Sequence, residues 1–382
     1  MTIMHGFDKA IFLRDFWQQK PCVIKGFIEH FEDPIDEHDL AGLAQEPDVD
    51  SRLISFSDEQ WQVTQGPIED FEPLCKGAWT LLVQGVDKYI DEIDALTEHV
   101  KAIPNWRLED VMISFATKGA GVGPHIDEYD VIIVQGKGER RWQVGNPNDF
   151  SQVLPHPLLK QIDGFEPVLD EMLSPGDAIY IPPKYPHNGV AQNDCINYSI
   201  GFRAPTDLEL LAGVLDDAHA MSAFQTRYTD PDQLQLRERT SSSAQISEEE
   251  LQKLTSMLKS LLDTPASQQA IVQYLSRQQL PDMQSEDPYS LEQVSVELVE
   301  NGVLRRSAGV KPLCIAPNEL GCVFYIDGNA FFVADEIQSF TLAFIDNNQT
   351  PTPIELAPEQ HALFALLCTE LVNAGYWYFS EE

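Results

Sequence analysis

Positive charge is scarce in this chain of 382 residues: 25 Lys and Arg stand against 61 Asp and Glu, a formal net charge of −36. So acidic a chain repels phosphate backbones, which argues against direct DNA or RNA binding. It either attracts a basic partner or serves solubility alone, and composition does not choose between the two. Cysteine is sparse as well. The six residues, Cys22, Cys75, Cys195, Cys314, Cys322 and Cys368, contain no CxxC pair. That disfavours a zinc ribbon or a thioredoxin-type motif and leaves reduced, mostly buried thiols as the expectation. No apolar run approaches the length of a bilayer span, so no membrane contact is expected. Residues Met1 to Asp8 lack the basic start and apolar core of a secretory signal, which makes the cytoplasm the expected compartment.

The remaining composition is that of a globular protein, with 43% hydrophobic and 23% charged residues. The length suggests two or three domains. Residues 1–110 mix helix and strand: Phe12, Leu13, Phe16 and Trp17 have helical spacing, and a helix is expected near Lys88–Lys101. Residues 111–203 alternate short β-rich runs with Gly/Pro turns, the pattern of a sandwich or barrel. Capping boxes at Thr206–Glu209 and Ser247–Glu250 open a helical region. From about residue 288, a helix, a strand pair around Asp327-Gly328-Asn329, two helices and a last strand suggest a winged-helix-like module.

The sharpest stretch is Gly121-Val122-Gly123-Pro124-His125-Ile126-Asp127. On a β-strand, side chains two apart share a face, so His125 and Asp127 converge while Ile126 turns away. Sixty residues later, Pro175-Gly176-Asp177 turns into a short strand, Pro182 and Pro183 end it, and a rigid turn presents His187. Two imidazoles and one carboxylate leave three coordination positions open, the arrangement of non-haem Fe(II) and O2 chemistry. Catalytic zinc is the rival, though it more often keeps one open position. A barrel that retains its shape but no metal is the bland alternative. The other histidines sit in no comparable frame; His156, between Pro155 and Pro157, is placed in a loop.

Fe(II) needs two further electrons to activate O2, and 2-oxoglutarate supplies them on decarboxylation. That cosubstrate needs a cation for its far carboxylate, for which a guanidinium is well shaped. In Arg140-Arg141-Trp142-Gln143-Val144, alternation puts Arg140 on the face of Trp142 and Val144, so it points inward. A buried Arg requires an anion, either the ligand or a structural Asp or Glu. Ser114 and Asn197, small polar residues on apolar strands, either add hydrogen bonds to the cosubstrate or bond to backbone.

GVGPHIDEYDVIIVQGKGERRW, LSPGDAIYIPPKYPH and INYSIGFRAP together resemble the JmjC-type ribosomal oxygenases of the cupin superfamily. The resemblance runs nearly full length, from DFWQQKPCVIKG through DVDSRLISF to LVNAGYWYF. It implies an α+β protein: a double-stranded β-helix of the JmjC/cupin jelly-roll type over 1–205, a helical dimerisation region over 206–287 and a winged-helix-like domain over 288–382. It also implies Fe(II) held by His125, Asp127 and His187, 2-oxoglutarate held by Ser114 and Arg140, and consumption of O2. The activity implied is C3-hydroxylation of an arginine in a basic large-subunit ribosomal protein, by a homodimer. Hydroxylation of histidine, demethylation of lysine or arginine, and an inert barrel that only docks basic proteins remain as alternatives.

Overall fold

The computed structural model describes residues 3–148, 150–217, 226–229, 244–285, 287–300, 303–315, 322–347, 350 and 356–380. The N-terminal part consists of β1 (Ile3–His5), α1 (Lys9–Asp15), β2 (Cys22–Lys25), α2 (Glu37–Leu43), β3 (Ser51–Ser57), β4 (Gln60–Gln65), β5 (Ala78–Val83) and α3 (Asp91–Asp94). The following β-rich part contains β6 (Leu108–Ala116), β7 (Asp130–Gln135), β8 (Arg140–Gly145), β9 (Ser151–His156), β10 (Leu159–Asp163), β11 (Pro167–Leu173), β12 (Ala178–Ile181), β13 (His187–Ala191) and β14 (Cys195–Phe202). Nine strands form one sheet in the order β1-β2-β12-β7-β14-β6-β5-β3-β4, and β11-β8-β13 form a second. Inward residues of the two sheets, among them Val131, Ile133, Ile179, Trp142, Val144 and Leu169, join in one apolar cluster. The sheets therefore close on each other as a jelly-roll barrel, in an α+β chain.

Several strands are where alternation places them, but five were not foreseen: β1, β9, β10, β11 and β13. Their residues explain why. β13 reads His-Asn-Gly-Val-Ala, with turn formers at two of its five positions, and β9 is almost wholly exposed. His156 is not in a loop; it ends β9, in a hairpin with β10 where Leu159 pairs with His156. Pro155 is tolerated there because this two-stranded sheet leaves an outer edge that needs no donor. The expected helix near Lys88–Lys101 is broken into 3₁₀ turns at Val86–Lys88 and Ala95–Val100, with α3 between them. Thr97 and Val100, three apart in the second of these turns, are both buried. A 3₁₀ turn eclipses positions three apart, so it puts both on the core side.

Beyond the barrel lie α4 (Asp207–Asp217), α5 (Glu248–Leu262) and α6 (Pro265–Leu275). Both capping boxes form: Glu209 N donates to Thr206 Oγ1, and Ser247 Oγ accepts from Glu250 N. The last part comprises α7 (Leu291–Glu300), β15 (Val303–Arg306), β16 (Leu313–Cys314), β17 (Cys322–Ile326), β18 (Asn329–Val333), α8 (Gln338–Asp346), α9 (Pro358–Asn373) and β19 (Trp377–Ser380). Its core is its own, built on Val294, Phe324, Phe344, Phe364 and Trp377. Contacts that tie it to the barrel side include buried Lys311 Nζ, 2.6 Å from Asp87 Oδ2, and Tyr378 OH, which donates to Asp91 Oδ2 at 2.9 Å. All six cysteines are free, four of them buried. Among the described residues, no helix is long and apolar enough to cross a membrane.

Candidate metal and cosubstrate site

His125 and Asp127 do not lie on a strand, as the alternation argument supposed. The segment between β6 and β7 is irregular, with a single antiparallel bridge at His125↔His187. The bridge is closed by two hydrogen bonds, His125 N to His187 O at 3.0 Å and His187 N to His125 O at 2.9 Å. Backbone pairing thus fixes the two histidines side by side, at the first residue of β13 and opposite it. Asp127 is drawn in by Lys184 N, which donates to its carbonyl at 2.7 Å. Gly123 has φ +79°, and a Cβ there would run into the Gln161 side chain. Gln161 Nε2 in turn donates to Val122 O at 2.7 Å, so the β9–β10 hairpin clamps the segment that carries His125.

One ligand atom from each of His125, Asp127 and His187 lies within 4.8 Å of the others. Nε2 of His125 and of His187 stand 3.9 Å and 3.5 Å from Asp127 Oδ2. Each Nδ1 faces a carbonyl, Gly123 O at 3.0 Å and Tyr185 O at 2.9 Å. A carbonyl only accepts, so Nδ1 is the donor in both rings, which leaves Nε2 as the atom that faces the metal position. Burial, reinforced by the neighbouring His125, pushes the His187 imidazolium down to about 4, so this ring is neutral at physiological pH. Two imidazoles and one carboxylate, open on the cavity side, are the donor set of a facial triad and not of a closed structural zinc site.

The triad opens into a cavity of about 480 Å³ that reaches Ser114, Arg140 and Asn197. Alternation on β8 holds. Arg140, Trp142 and Val144 are buried, whereas Arg141 turns outward to Asp170 at 2.5 Å. Arg140 is 5% exposed, and among the described residues its one hydrogen bond runs from Nη2 to Cys195 Sγ at 3.4 Å. Among the described residues it has no carboxylate partner, and its Nε is unsatisfied. A buried guanidinium without an anion is what a bound dicarboxylate would complete. Ser114 and Asn197 are cross-strand neighbours on β6 and β14. Asn197 Nδ2 donates to Gln135 Oε1 at 2.8 Å, and its buried Oδ1 has no partner among the described residues. The metal and cosubstrate candidates therefore line one cavity.

A protein-family description of the JmjC domain matches residues 95–210. The ribosomal protein uL16 3-hydroxylase of Escherichia coli (strain K12) is 38% identical over 371 residues, covering 96% of each chain. The chain belongs to the JmjC-domain ribosomal oxygenases. A probable ribosomal oxygenase of Haemophilus influenzae is 42% identical over 209 residues, 53% of this chain and 52% of that one. The structure of the Escherichia coli ribosomal oxygenase YcfD in complex with cobalt and 2-oxoglutarate superposes with a TM-score of 0.85 at 35% identity, over 98% of both chains. Within this ribosomal oxygenase, the sequence reading missed Asp110, Tyr129 and Gln161, which also line the cavity. For Asp110 the signal was present: counting back by two from Ser114 through Met112 reaches it on the same face of β6. Gln161 carried no such signal, because β10 itself went unrecognised.

Proposed function

We propose that this protein is an Fe(II)- and 2-oxoglutarate-dependent hydroxylase that places one oxygen atom on C3 of an arginine in the basic ribosomal protein uL16, in the cytoplasm. The carrying observation is one cavity lined both by three side chains that could hold a metal and by the Arg140 guanidinium, which has no carboxylate partner among the described residues. His125, Asp127 and His187 would hold the metal. Arg140, with Ser114 and Asn197 beside it, would hold the cosubstrate's far carboxylate. Bound iron with 2-oxoglutarate and O2 supplies the oxidising power: the substrate C–H becomes C–OH while the cosubstrate leaves as succinate and CO2. The protein's own part is to orient and to exclude water. The β9–β10 hairpin and the His125↔His187 bridge fix the ligands, and β8 fixes the cation. Measuring succinate alongside peptide mass tests the reading. Succinate matched by an oxygen gain supports it, and formaldehyde release would mark demethylation instead.

Asp110 supports a cationic substrate. Its carboxylate borders the main cavity and an adjoining one of about 470 Å³, in which Asp48, Asp50, Glu109 and Glu128 outnumber Lys88 and Arg203. Burial, then repulsion from Asp87, pushes the Asp110 carboxyl up to about 6. Below that value the group is neutral and above it anionic, so affinity for an arginine peptide is expected to rise as pH climbs from about 5 to about 7. Asp110→Asn is expected to raise the peptide KM about tenfold at neutral pH and to flatten that rise. KM measured across the pH range with saturating 2-oxoglutarate checks both.

We also propose that the barrel, the helical region and the C-terminal module are separate domains and that the protein is a homodimer joined through its helical region. On α5, Leu251, Leu254, Leu258 and Leu262 form a stripe at helical spacing, and the helix buries no residue in its own chain. A wholly aliphatic stripe suits a second copy better than a basic substrate. Leu251→Glu combined with Leu258→Glu is expected to convert dimer to monomer in light scattering coupled to size exclusion.

A further inference from the structure

Among the described residues, three that line the main cavity carry a buried polar atom without a protein partner: Arg140 Nε, Asn197 Oδ1 and Trp142 Nε1. The first two belong to groups already placed toward the cosubstrate. The third belongs to a residue read so far as packing. Trp142 is only 5% exposed, and an indole N–H buried to that degree normally has an acceptor.

The ring is held in place. Gly189 lies directly across from Trp142 in the β13–β8 pairing. A Cβ on Gly189 would sit 2.7–2.8 Å from Cη2, Cζ2 and Cζ3 of the indole, so the six-membered ring lies against that glycine. The same pairing sets His187 opposite Val144 and Ala191 opposite Arg140. Side chains of paired residues share a face. The inner wall therefore runs from the ligand His187, past Trp142, to Arg140. Centroid of indole and His187 ring are 6.1 Å apart, and the Arg140 guanidinium carbon is 6.0 Å from the indole. An anion that reaches from the metal ligands to the guanidinium has to pass along this indole, and such an anion is rich in acceptors.

We propose that Trp142 is a further binding residue for the dianionic cosubstrate, its indole N–H donating a hydrogen bond to one of the anion's oxygens. The inference rests on the 2-oxoglutarate reading of the cavity. Gly189 then has a function beyond the strand: it makes room for the ring and fixes the direction of the N–H.

The test is calorimetric titration of 2-oxoglutarate into the full-length, Mn(II)-loaded protein under nitrogen. It uses the unaltered chain, Arg140→Ala, Trp142→Phe, and a protein with benzothienylalanine at position 142. In that residue sulfur replaces the N–H while the fused ring system is kept. Both Trp142 replacements are expected to weaken 2-oxoglutarate binding about tenfold or more, the effect of one hydrogen bond to a charged group, with Mn(II) affinity unchanged. If the benzothienylalanine protein binds as tightly as the unaltered one, the N–H plays no part and the proposal is overturned, whatever Trp142→Phe does. That holds with the cosubstrate reading intact, provided Arg140→Ala still loses binding. If the unaltered protein binds no 2-oxoglutarate, the cosubstrate reading fails and the inference with it.

Discussion

Replacing His125 with alanine is expected to lower hydroxylation by about three orders of magnitude or more, roughly 4 kcal/mol of barrier, without unfolding the protein. The two expectations have separate sources. Among the described residues, the imidazole supplies one of three side-chain atoms within 4.8 Å of one another that would hold the metal, so its loss would leave a two-ligand site. The backbone bridge to His187 uses main-chain N–H and C=O groups, which alanine keeps. His125 is also partly exposed, so the truncation opens no sealed core cavity. Calorimetry with Mn(II) should show a large loss of metal affinity, and thermal melting of the metal-free protein should shift little. Full turnover by His125→Ala at ordinary iron concentrations would remove the metal site from the account.

Arg140→Ala is expected to weaken 2-oxoglutarate binding by about two orders of magnitude or more, because it removes the cation from a buried charge pair. Peptide binding should change little. Arg140→Lys should recover part of the loss, since lysine keeps the charge but not the planar, bidentate donor pair. A companion effect runs the other way. In the protein free of metal and cosubstrate, Arg140 is a buried cation with no carboxylate partner among the described residues. An apolar residue of similar length is less costly there, so Arg140→Met is expected to melt at a higher temperature than the unaltered apo protein. Adding 2-oxoglutarate to the Mn(II)-loaded protein should then raise the melting temperature of the unaltered protein further but not that of the variant. A lower melting temperature for apo Arg140→Met would mean that the guanidinium is a structural element of the barrel.

What could be read from the sequence follows the physics of each element. β6, β7, β8 and β14 have buried faces, and their apolar residues or their alternation marked them out. Arg140 was placed inward because it shares parity with Trp142 and Val144. The convergence of His125, Asp127 and His187 was legible because these residues sit in constrained turn-rich frames, although His125 and Asp127 meet His187 through an irregular bridge and not through strand alternation. β9 and β10 were illegible because a partly exposed hairpin has little hydrophobic pattern to read, and Gln161, which clamps the metal segment, was lost with them. β13 was hidden by Asn188 and Gly189, which read as turn formers; Gly189 is there to admit the Trp142 ring. The Lys311–Asp87 pair spans more than two hundred residues, and no local pattern announces a contact of that separation.

Coupling of 2-oxoglutarate turnover in this cavity to hydroxylation of an arginine in a basic ribosomal protein can be measured directly. The most direct test is tandem mass spectrometry of a uL16 peptide after incubation with Fe(II), 2-oxoglutarate and isotopically heavy dioxygen. The prediction is one heavy oxygen on an arginine side chain, with an equimolar yield of succinate, and neither product with His125→Ala. A peptide that gains no labelled oxygen while the unaltered enzyme still forms succinate would contradict the substrate. No succinate at all would contradict the oxygenase.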